Sequence, residues 1–387
     1  MAKQIYVGVA DKARRVAKAY VGVNGVARKI KKAYIGIGGV ARPCLSSDAV
    51  YKYGALTDLQ AARVLMAAGS NDSLAIFAGG ERYGKSSEIA TDYLFADVDA
   101  YNASLSKVNV SALAVQTRSI TAYSEPTRVL LFGGYMATYD VSSAVMSYNT
   151  SGTQSTPANL TTARCNTGVA KAGTHIVVAG GGTKNQVISN VDIFSASLTR
   201  TVGEALHVAR TGPLYGKAGS RALFYGGDTY NSFAGSRVDT IDYYDASLTH
   251  GYTTGHNEVC ARNRYQSYNG FVSNEIGLVI DDGYHMGMYN ESLTYQQSAQ
   301  ITAHRSRALS SLGAYIIAAG GSSGSNNSVT TVNIYDQSLT EATCEAMSWS
   351  RSSLTAAVIG NFVILAGGCT DTLASAVKST IEAYTAA

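Results

Sequence analysis

The chain has 387 residues, of which 46% are hydrophobic, and its formal net charge is +4. This length and composition allow a large core without disulfide bonds, and the sequence has no apolar stretch long enough to cross a bilayer as a helix. Because no charged-then-apolar leader follows Met1, we expect cytoplasmic synthesis without a signal peptide and no insertion into a membrane.

Residues 1–43, called the arm below, contain a repeat of 14 residues and most of the basic charge. The arm holds ten Lys and Arg against one acidic residue, a net charge of +9, whereas the remainder has a net charge of −5. Alternating apolar runs flank Asn24-Gly25 and Gly38-Gly39, which is typical of two-residue hairpin turns. We predict three small β-hairpins that need further packing partners. The repeated positions are Tyr6, Arg14, Tyr20, Arg28, Tyr34 and Arg42.

The charge of the arm indicates an acidic partner. A protein surface is favoured over nucleic acid, because the tyrosines follow a strand-like pattern and no known nucleic-acid motif is present. The segments from Tyr20 to Arg28 and from Tyr34 to Arg42 resemble tandem segments near the N-termini of phage and prophage structural proteins. This resemblance implies that the arm anchors the chain to virion or tail structural proteins of a bacterial virus, with homo-oligomeric or symmetric display. A basic arm on a cellular protein is the alternative.

The rest of the chain repeats with a longer period. Seven times a hydrophobic run ends in a Gly pair, replaced once by Asp282-Gly283, and an aromatic residue then opens the phrase Tyr-x-x-Ser-Leu or a close variant. The aromatic residues are Tyr101, Tyr148, Phe194, Tyr244, Tyr289, Tyr335 and Tyr384. Their spacings of 45 to 50 residues are typical of four-stranded propeller blades. We therefore predict that residues 44–387 form a seven-bladed β-propeller.

The strand signals agree with this period. In the fourth unit, apolar and β-branched runs predict three strands, at Arg210 to Tyr215, Ser220 to Tyr225 and Thr240 to Tyr244. A fourth, outermost strand is predicted after the Ser-Leu phrase, as from Ser106 to Val110. The last unit ends soon after Tyr384 and lacks that strand, so we predict that residues 49–56 supply it and close the ring. The glycines fit a sharp exit where a Cβ would clash or require an unfavourable φ.

The repeats resemble the kelch family over about residues 49–387. The shared features are the Gly pair and an Arg about one hairpin before it; the family's late Trp is mostly missing, since Trp349 is the only Trp. The Arg positions are Arg63, Arg118, Arg164, Arg210, Arg262 or Arg264, Arg305 or Arg307, and Arg351. The expected fold is thus all-β, a seven-bladed kelch-type β-propeller preceded by a short basic β-hairpin arm. Function stays open, because kelch propellers serve as scaffolds, glycan binders and oxidases.

One face of the predicted propeller is the candidate binding surface. In an antiparallel blade the first strand starts where the second ends, so the Arg set and the loops after the Gly pairs should share a face. Tyr, Ser, Asn and Gly dominate those loops, a composition suited to a glycan or a protein ligand. The candidate contacts are Tyr83, Tyr135, Tyr139, Tyr230, Phe233, Tyr284, Arg63, Arg118, Arg164, Arg210 and Arg351. Loop packing is favoured for each single Tyr, and bracing of neighbouring blades through backbone carbonyls is favoured over anion binding for the Arg set.

We predict no catalytic residue, metal or cofactor. The six His fall in different units without ligand spacing, and the five Cys lack CxxC spacing, which disfavours zinc and a disulfide framework. Adjacent strand residues point to opposite faces, so Asp281-Asp282 is better explained by a turn than by a shared acidic site. We expect a non-enzymatic virion or phage-like particle component that displays a host-surface recognition face; a cellular kelch scaffold or adhesin is the alternative, and a kelch-type oxidase or other propeller enzyme a distant one.

Overall fold

The computed structural model describes the chain except for residues 1–5, 10–11, 16–19, 24–25, 30–31, 38–39, 47–49, 83–92, 138–139, 230–235, 257–270, 274–276, 282–284, 299, 302–303, 305, 324–326, 371–376 and 387. In the described strands up to residue 46 and in 271–273, only the backbone is considered. The described elements are β-strands in seven four-stranded and four two-stranded sheets, and no α-helix occurs among these residues. The all-β expectation is confirmed.

The seven four-stranded sheets are the blades of a closed propeller. Within each blade neighbouring strands are antiparallel and run in chain order from the axis outward, except that the outermost strand of the last blade comes from the start of the propeller. The first strand of every blade lies against the first strands of the two adjacent blades, and the last blade meets the first in the same way. The first strands therefore surround the propeller axis, and the seven-bladed prediction is confirmed.

Blades 1 to 3 contain the following strands, ordered from the axis outward. Blade 1 comprises Ala67–Ser70, Leu74–Ala78, Val98–Asn102 and Lys107–Val108. Blade 2 comprises Thr121–Glu125, Arg128–Phe132, Val145–Asn149 and Gln154–Ser155. Blade 3 comprises Gly168–Ala172, His175–Ala179, Val191–Phe194 and Arg200–Val202.

Blades 4 to 7 follow the same order. Blade 4 comprises Leu214–Ala218, Arg221–Tyr225, Thr240–Tyr244 and His250–Thr254. Blade 5 comprises Phe271–Ser273, Leu278–Asp281, Met286–Tyr289 and Tyr295–Gln297. Blade 6 comprises Ala308–Leu312, Tyr315–Ala319, Val332–Tyr335 and Glu341–Thr343, with Ser322–Ser323 and Asn327–Ser328 paired in a loop. Blade 7 comprises Thr355–Ile359, Phe362–Ala366, Ile381–Ala386 and Val50–Ala55.

The ring is closed by the strand that follows the arm. Val50–Ala55 pairs antiparallel with Ile381–Ala386 as the outermost strand of blade 7. The hydrogen bond from Leu56 N to Ile381 O, 3.1 Å long, extends this pairing by one residue. The prediction that residues 49–56 join the last blade is confirmed for its described part. A strand edge that would otherwise be exposed in blade 7 is covered by the chain itself.

The antiparallel order gives the propeller two distinct faces. We call the end that carries the Gly pairs the loop face, and the opposite end, which carries the Ser-Leu turns, the turn face. Ala55 pairs with Glu382 near the loop face, whereas Val50 pairs with Ala386 near the turn face. The chain therefore passes from the arm into the propeller at the turn face.

Glycine pairs join adjacent blades at the loop face. Gly79 and Gly80 have φ of +63° and +107°, and a Cβ on Gly79 would lie 2.2 Å from Thr117 O in blade 2. The N–H of Gly80 donates to the same Thr117 O at 2.9 Å. Equivalent inter-blade bonds join Gly134 to Arg164, Gly181 to Arg210, Gly321 to Arg351, and Gly368 to Arg63. The expected role of the glycines is confirmed, since both φ and space exclude a side chain.

The repeated aromatic phrase forms the turn between the third and fourth strands. In blade 6, Asp336 Oδ1 accepts hydrogen bonds from the N–H groups of Ser338 and Thr340 at 2.8 and 2.9 Å. Leu339, in the left-handed region at φ 59°, is 2% exposed and packs into a cluster between blades 5 and 6. The other left-handed leucines of this turn are Leu105, Leu198, Leu248 and Leu293. The phrase thus combines a tight turn with a side chain that seals the blade interface.

The aromatic residue that opens the phrase is buried in every blade. In blades 1, 2 and 4 its hydroxyl group donates to a backbone carbonyl of the segment leading in from the previous blade: Tyr101 to Thr57 O at 2.7 Å, Tyr148 to Ser111 O at 2.9 Å and Tyr244 to Glu204 O at 2.7 Å. The polar tips of these three core tyrosines are therefore satisfied.

The first strand of blade 4 differs from its prediction. It spans Leu214–Ala218 rather than Arg210 to Tyr215. Gly212 has φ +58°, which interrupts the extended backbone, so Arg210 lies before the strand and contacts the blade interior. The outer strand of blade 1, Lys107–Val108, lies within the predicted segment from Ser106 to Val110.

The arm contains three two-stranded hairpins, as predicted. They are formed by Tyr6–Val9 with Lys12–Arg15, by Tyr20–Val23 with Val26–Lys29, and by Lys32–Ile37 with Val40–Ser46. Val23 faces Val26 and Ile37 faces Val40 across the last two turns. The turn residues Asn24-Gly25 and Gly38-Gly39 lie outside the described residues.

Candidate functional site

Four of the repeated arginines lie in the blade interior. Arg63, Arg164, Arg210 and Arg351 are 0% exposed. Each Nη2 lies close to a carboxylate of the third strand in its own blade: 2.6 Å from Asp99, 2.7 Å from Asp192, 2.5 Å from Asp242 and 2.9 Å from Glu382, respectively. The arginine of these blades therefore connects the start of the first strand to the third strand.

A second basic side chain approaches the same carboxylate from the outermost strand. The partner atom is Lys107 Nζ at 2.6 Å in blade 1, Arg200 Nε at 3.8 Å in blade 3, His250 Nε2 at 2.7 Å in blade 4 and Lys52 Nζ at 2.5 Å in blade 7. We call each set of three residues an ion triad. Blades 1, 3, 4 and 7 thus hold a buried acid between an inner arginine and an outer basic side chain.

Burial and charge act against each other in these triads. Burial lowers the pKa of Arg164 to about 10, while Asp192 raises it. Burial also lowers the pKa of Arg63, Arg210 and Arg351, opposed by their carboxylates. Glu382 shows the other side of this balance: burial raises its pKa, but hydrogen bonds from Lys52 and Ser348 and the Arg351 charge hold it below its ordinary value. In the four arginines and in Glu382, the charge of the partner thus opposes the cost of burial.

The triad arginines brace the fold in two ways. The guanidinium groups donate to carbonyls of their own blade, such as Arg63 Nη2 to Phe77 O at 3.2 Å. The backbone carbonyls of the same arginines accept the inter-blade bonds from the glycine pairs. These inter-blade bonds agree with the expectation that the Arg set braces neighbouring blades through backbone carbonyls. As candidate ligand contacts, Arg63, Arg164, Arg210 and Arg351 are corrected, because no part of these side chains reaches the surface.

Arg118 in blade 2 differs from the triad arginines. Its backbone faces Tyr135 as that of Val64 faces Glu81 in blade 1, so Thr117 takes the position of the buried arginine. The Arg118 side chain lies between blades, with Nε 3.1 Å from Glu81 Oε2 and Cζ 5.3 Å from the ring centroid of Tyr135. Arg118 and Tyr135 are thus the two predicted contacts that the structure brings together on the loop face.

Blade 6 also lacks the buried arginine of the triad blades. His304 lies four residues before its first strand, where the triad blades have arginine, and Arg307 has Nη2 2.7 Å from Asp281 Oδ2 in blade 5. Asp281 ends the second strand of blade 5 and is 1% exposed. The turn role predicted for Asp281 is therefore wrong, because the guanidinium of the next blade neutralises a buried strand residue. Asp282 lies outside the described residues.

The other predicted aromatic contacts cannot be placed. Tyr83, Tyr139, Tyr230, Phe233 and Tyr284 lie outside the described residues, as do Arg262, Arg264 and Arg305. For Tyr6, Arg14, Tyr20, Arg28, Tyr34 and Arg42 the structure describes the backbone alone. Their proposed contacts remain predictions.

The structure reveals an exposed aromatic residue on the loop face that sequence reasoning did not select. Trp349, two residues before Arg351, is 54% exposed. Lys378, close before the third strand of blade 7, has Nζ 5.3 Å from the Trp349 ring centroid. The sequence does offer a signal. Trp349 is the only Trp of the chain, and the other repeats have no large aromatic residue at the same position.

The described residues contain neither a candidate metal site nor a candidate membrane-spanning helix. No group of three or more His, Cys, Asp or Glu among those residues could hold a metal ion. Cys165, Cys344 and Cys369 are free thiols. Within the same described residues, no helix has the length and apolar character needed to span a membrane.

Comparison with known proteins gives no assignment: no family model matches the chain, and neither does any curated protein. The propeller is therefore defined by its own strand pairing and ring closure. The candidate site is likewise defined by geometry: a loop face on which Tyr135, Trp349 and Lys378 lie above an interior of paired charges that includes the buried Arg118.

Proposed function

We propose that the chain is a non-catalytic display protein of a virion or phage-like particle. The arm attaches to structural proteins of the particle, and the kelch-type propeller presents its loop face to a glycan or protein on the host surface. The observation that carries this proposal is the course of the chain, which passes from the arm into the propeller at Val50 on the turn face, opposite the loop face. Attachment through the arm leaves the loop face free for recognition.

The charge distribution supports docking through the arm. Its net charge of +9 contrasts with −5 for the rest of the chain, so an acidic partner would select the arm and not the propeller. The three hairpins also repeat one cross-strand pair: Val7 faces Arg14, Val21 faces Arg28 and Ile35 faces Arg42. Three equivalent hairpins suit a partner that offers equivalent binding sites, as a symmetric particle does.

The interior of the propeller supports a recognition role for its loops. The repeated charged residues of four blades are used in ion triads, and the conformation of the blades is fixed by glycine pairs and turns. Loops on such a scaffold vary without changing the blades. A rigid frame with Tyr-, Ser- and Asn-rich loops is typical of a binding surface.

Mass spectrometry of purified particles tests the proposal first. We expect the full chain at a fixed ratio to the major structural proteins, and a variant lacking residues 1–43 absent from particles but folded in the cell extract. This deletion keeps Val50–Ala55, so the ring can still close. A variant with Arg14, Arg28 and Arg42 changed to Lys keeps the length and the charge of the arm. It is the control for the loss of the whole segment in the deletion variant.

Two results would contradict the proposal. Incorporation of the deletion variant at the normal ratio would exclude the arm as the anchor. Recovery of the full chain from cell fractions and not from particles would favour a cellular kelch scaffold or adhesin. An unchanged circular dichroism spectrum of the deletion variant is required in either case.

A further inference from the structure

We propose that Trp349 and Lys378 form a subsite for an acidic saccharide, a sugar residue that carries a carboxylate. This inference rests on the proposed recognition role of the loop face and assigns its ligand class. The site lies where the segment between blades 6 and 7 meets the loop that precedes the third strand of blade 7. Its two side chains supply an aromatic surface and a positive charge.

The position of Trp349 in the repeat is exposed in blade 2 as well, and is half-buried in blades 1, 3 and 4. Val115, two residues before Thr117 in blade 2 as Trp349 is before Arg351 in blade 7, is 52% exposed. The position thus faces solvent in both blades, and the core does not require a large side chain there. An indole at such a position exposes apolar surface to water. A ligand that covers the indole removes this surface from water, which favours binding.

The backbone around Trp349 is held on both sides. The N–H of Ser348 donates to Glu382 Oε1 at 2.9 Å, and the N–H of Arg351 donates to Val329 O at 3.1 Å. Glu382 is itself part of the ion triad of blade 7. Trp349 therefore projects from a fixed segment, and a ligand that stacks on it does not have to order the backbone first.

Lys378 provides the charge that selects among saccharides. Its N–H donates to Gly368 O at 2.8 Å, which fixes the backbone, and its Nζ lies 5.3 Å from the indole centroid. Among the described residues Lys378 has no carboxylate partner, whereas Lys52, Lys107 and Lys171 each have one. The ammonium is held beside the aromatic surface by cation–π attraction and remains available to an incoming anion.

The two groups match the chemistry of an acidic pyranose. The axial C–H groups of the ring form an apolar face that packs on an indole, and the carboxylate accepts a charge-assisted hydrogen bond from the ammonium. A neutral sugar gains the stacking contact alone. The subsite should therefore prefer an acidic saccharide over a neutral one of the same size.

The single tryptophan makes the site directly observable. All tryptophan fluorescence of the full chain comes from Trp349, and acrylamide, a neutral quencher, reports its exposure. We expect sialyllactose, a tetragalacturonate or a hyaluronan tetrasaccharide to protect Trp349 from quenching, and lactose and maltotetraose to protect it much less. The Lys378→Gln variant should bind the protecting saccharide about tenfold more weakly, as expected for loss of a charged hydrogen bond.

Matched variants separate the subsite from general surface effects. Lys184→Gln removes an exposed lysine from the corresponding loop of blade 3 and should leave binding unchanged. Trp349→Ala should abolish binding measured by calorimetry, while Tyr252→Ala, at a 53% exposed aromatic on the outer strand of blade 4, should not. Circular dichroism checks that each variant folds.

The proposal is overturned if none of the three acidic saccharides protects Trp349, or if neutral and acidic saccharides protect it equally. Adsorption of particles to host cells distinguishes this failure from failure of the proposed function. If adsorption persists in the Trp349→Ala variant, recognition stands and the subsite is rejected. If the chain is absent from particles but the acidic saccharides still protect Trp349, the subsite stands and the virion role is rejected.

Discussion

Blades 2 and 3 are neighbours with the same four-stranded sheet and different interiors. Blade 3 contains the ion triad of Arg164, Asp192 and Arg200. Blade 2 has Thr117, Met146 and Gln154 at the equivalent positions, as the strand register shows. The triad is therefore not needed to form a blade. Replacing a whole buried ion pair by well-packed apolar residues often leaves the stability of the fold unchanged. Removing only one of its partners is strongly destabilising, because a buried charge then has no partner.

Removal of one triad member should give the largest effect. In Arg164→Met, the carboxylate of Asp192, which is 0% exposed, loses its inner cation and retains Arg200 at 3.8 Å and the hydrogen bonds from Thr161. We expect the free energy of unfolding to fall by about 3–5 kcal/mol, measured by urea denaturation. A loss below about 1 kcal/mol would show that Asp192 becomes solvated or protonated at little cost.

The outer cation of blade 7 should matter more than its equivalent in blade 1. Lys52 Nζ contacts Glu382 Oε1 at 2.5 Å and Ser348 Oγ at 2.7 Å, and so ties the ring-closing strand to the last strand and to the segment before Trp349. We expect Lys52→Met to lower the free energy of unfolding by about 1.5–3 kcal/mol. Lys107→Met, which removes a more exposed outer lysine in blade 1, is the control and should cost about 1 kcal/mol or less. Equal losses of unfolding free energy in the two variants would mean that the role of Lys52 in closing the ring adds nothing to the stability that its ion triad provides.

The triad of blade 7 also predicts a response to acid. The pKa of Glu382 in the folded chain lies below its ordinary value of 4.5. Its carboxylate therefore contributes stability that is fully present above the ordinary value and is lost as pH falls through the folded pKa. We expect the unfolding free energy of Glu382→Gln to decline less steeply than that of the wild type from about pH 5 downward, measured by urea midpoints across that range.

Asp72→Asn, at an exposed position, is the control for this pH series. Its slope should follow that of the wild type. Parallel curves for the wild type and Glu382→Gln would contradict the assignment of acid sensitivity to the blade 7 triad.

The fold could be predicted from the sequence because its determinants are local. A left-handed glycine pair and a Ser-Leu turn with an acidic or amide cap recur in nearly every repeat, and each specifies backbone geometry within a few residues. The closing strand could be placed because the last repeat lacked one strand. These features need no knowledge of which distant side chains meet.

The triads could not be predicted because they depend on distant contacts. The acid lies two residues before the repeated aromatic, but its separation from the arginine is 36, 28, 32 and 31 residues in the four triad blades, since the loops differ in length. Spacing therefore does not reveal the pair. Asp281 was misassigned for the same reason, because its partner Arg307 belongs to the next blade.

The smallest effect is expected when the interior of blade 2 is transplanted into blade 3. The triple variant Arg164→Thr, Asp192→Met, Arg200→Gln removes all three charges together and leaves no buried ion without a partner. Its unfolding free energy should lie within about 1 kcal/mol of the wild type, although Arg164→Met alone costs much more. The difference between the single and triple variants shows how much of the loss arises from leaving the Asp192 carboxylate without its inner cation. A triple variant as unstable as the single one would show that blade 3 depends on its charges for packing, and that the two neighbouring interiors are not interchangeable.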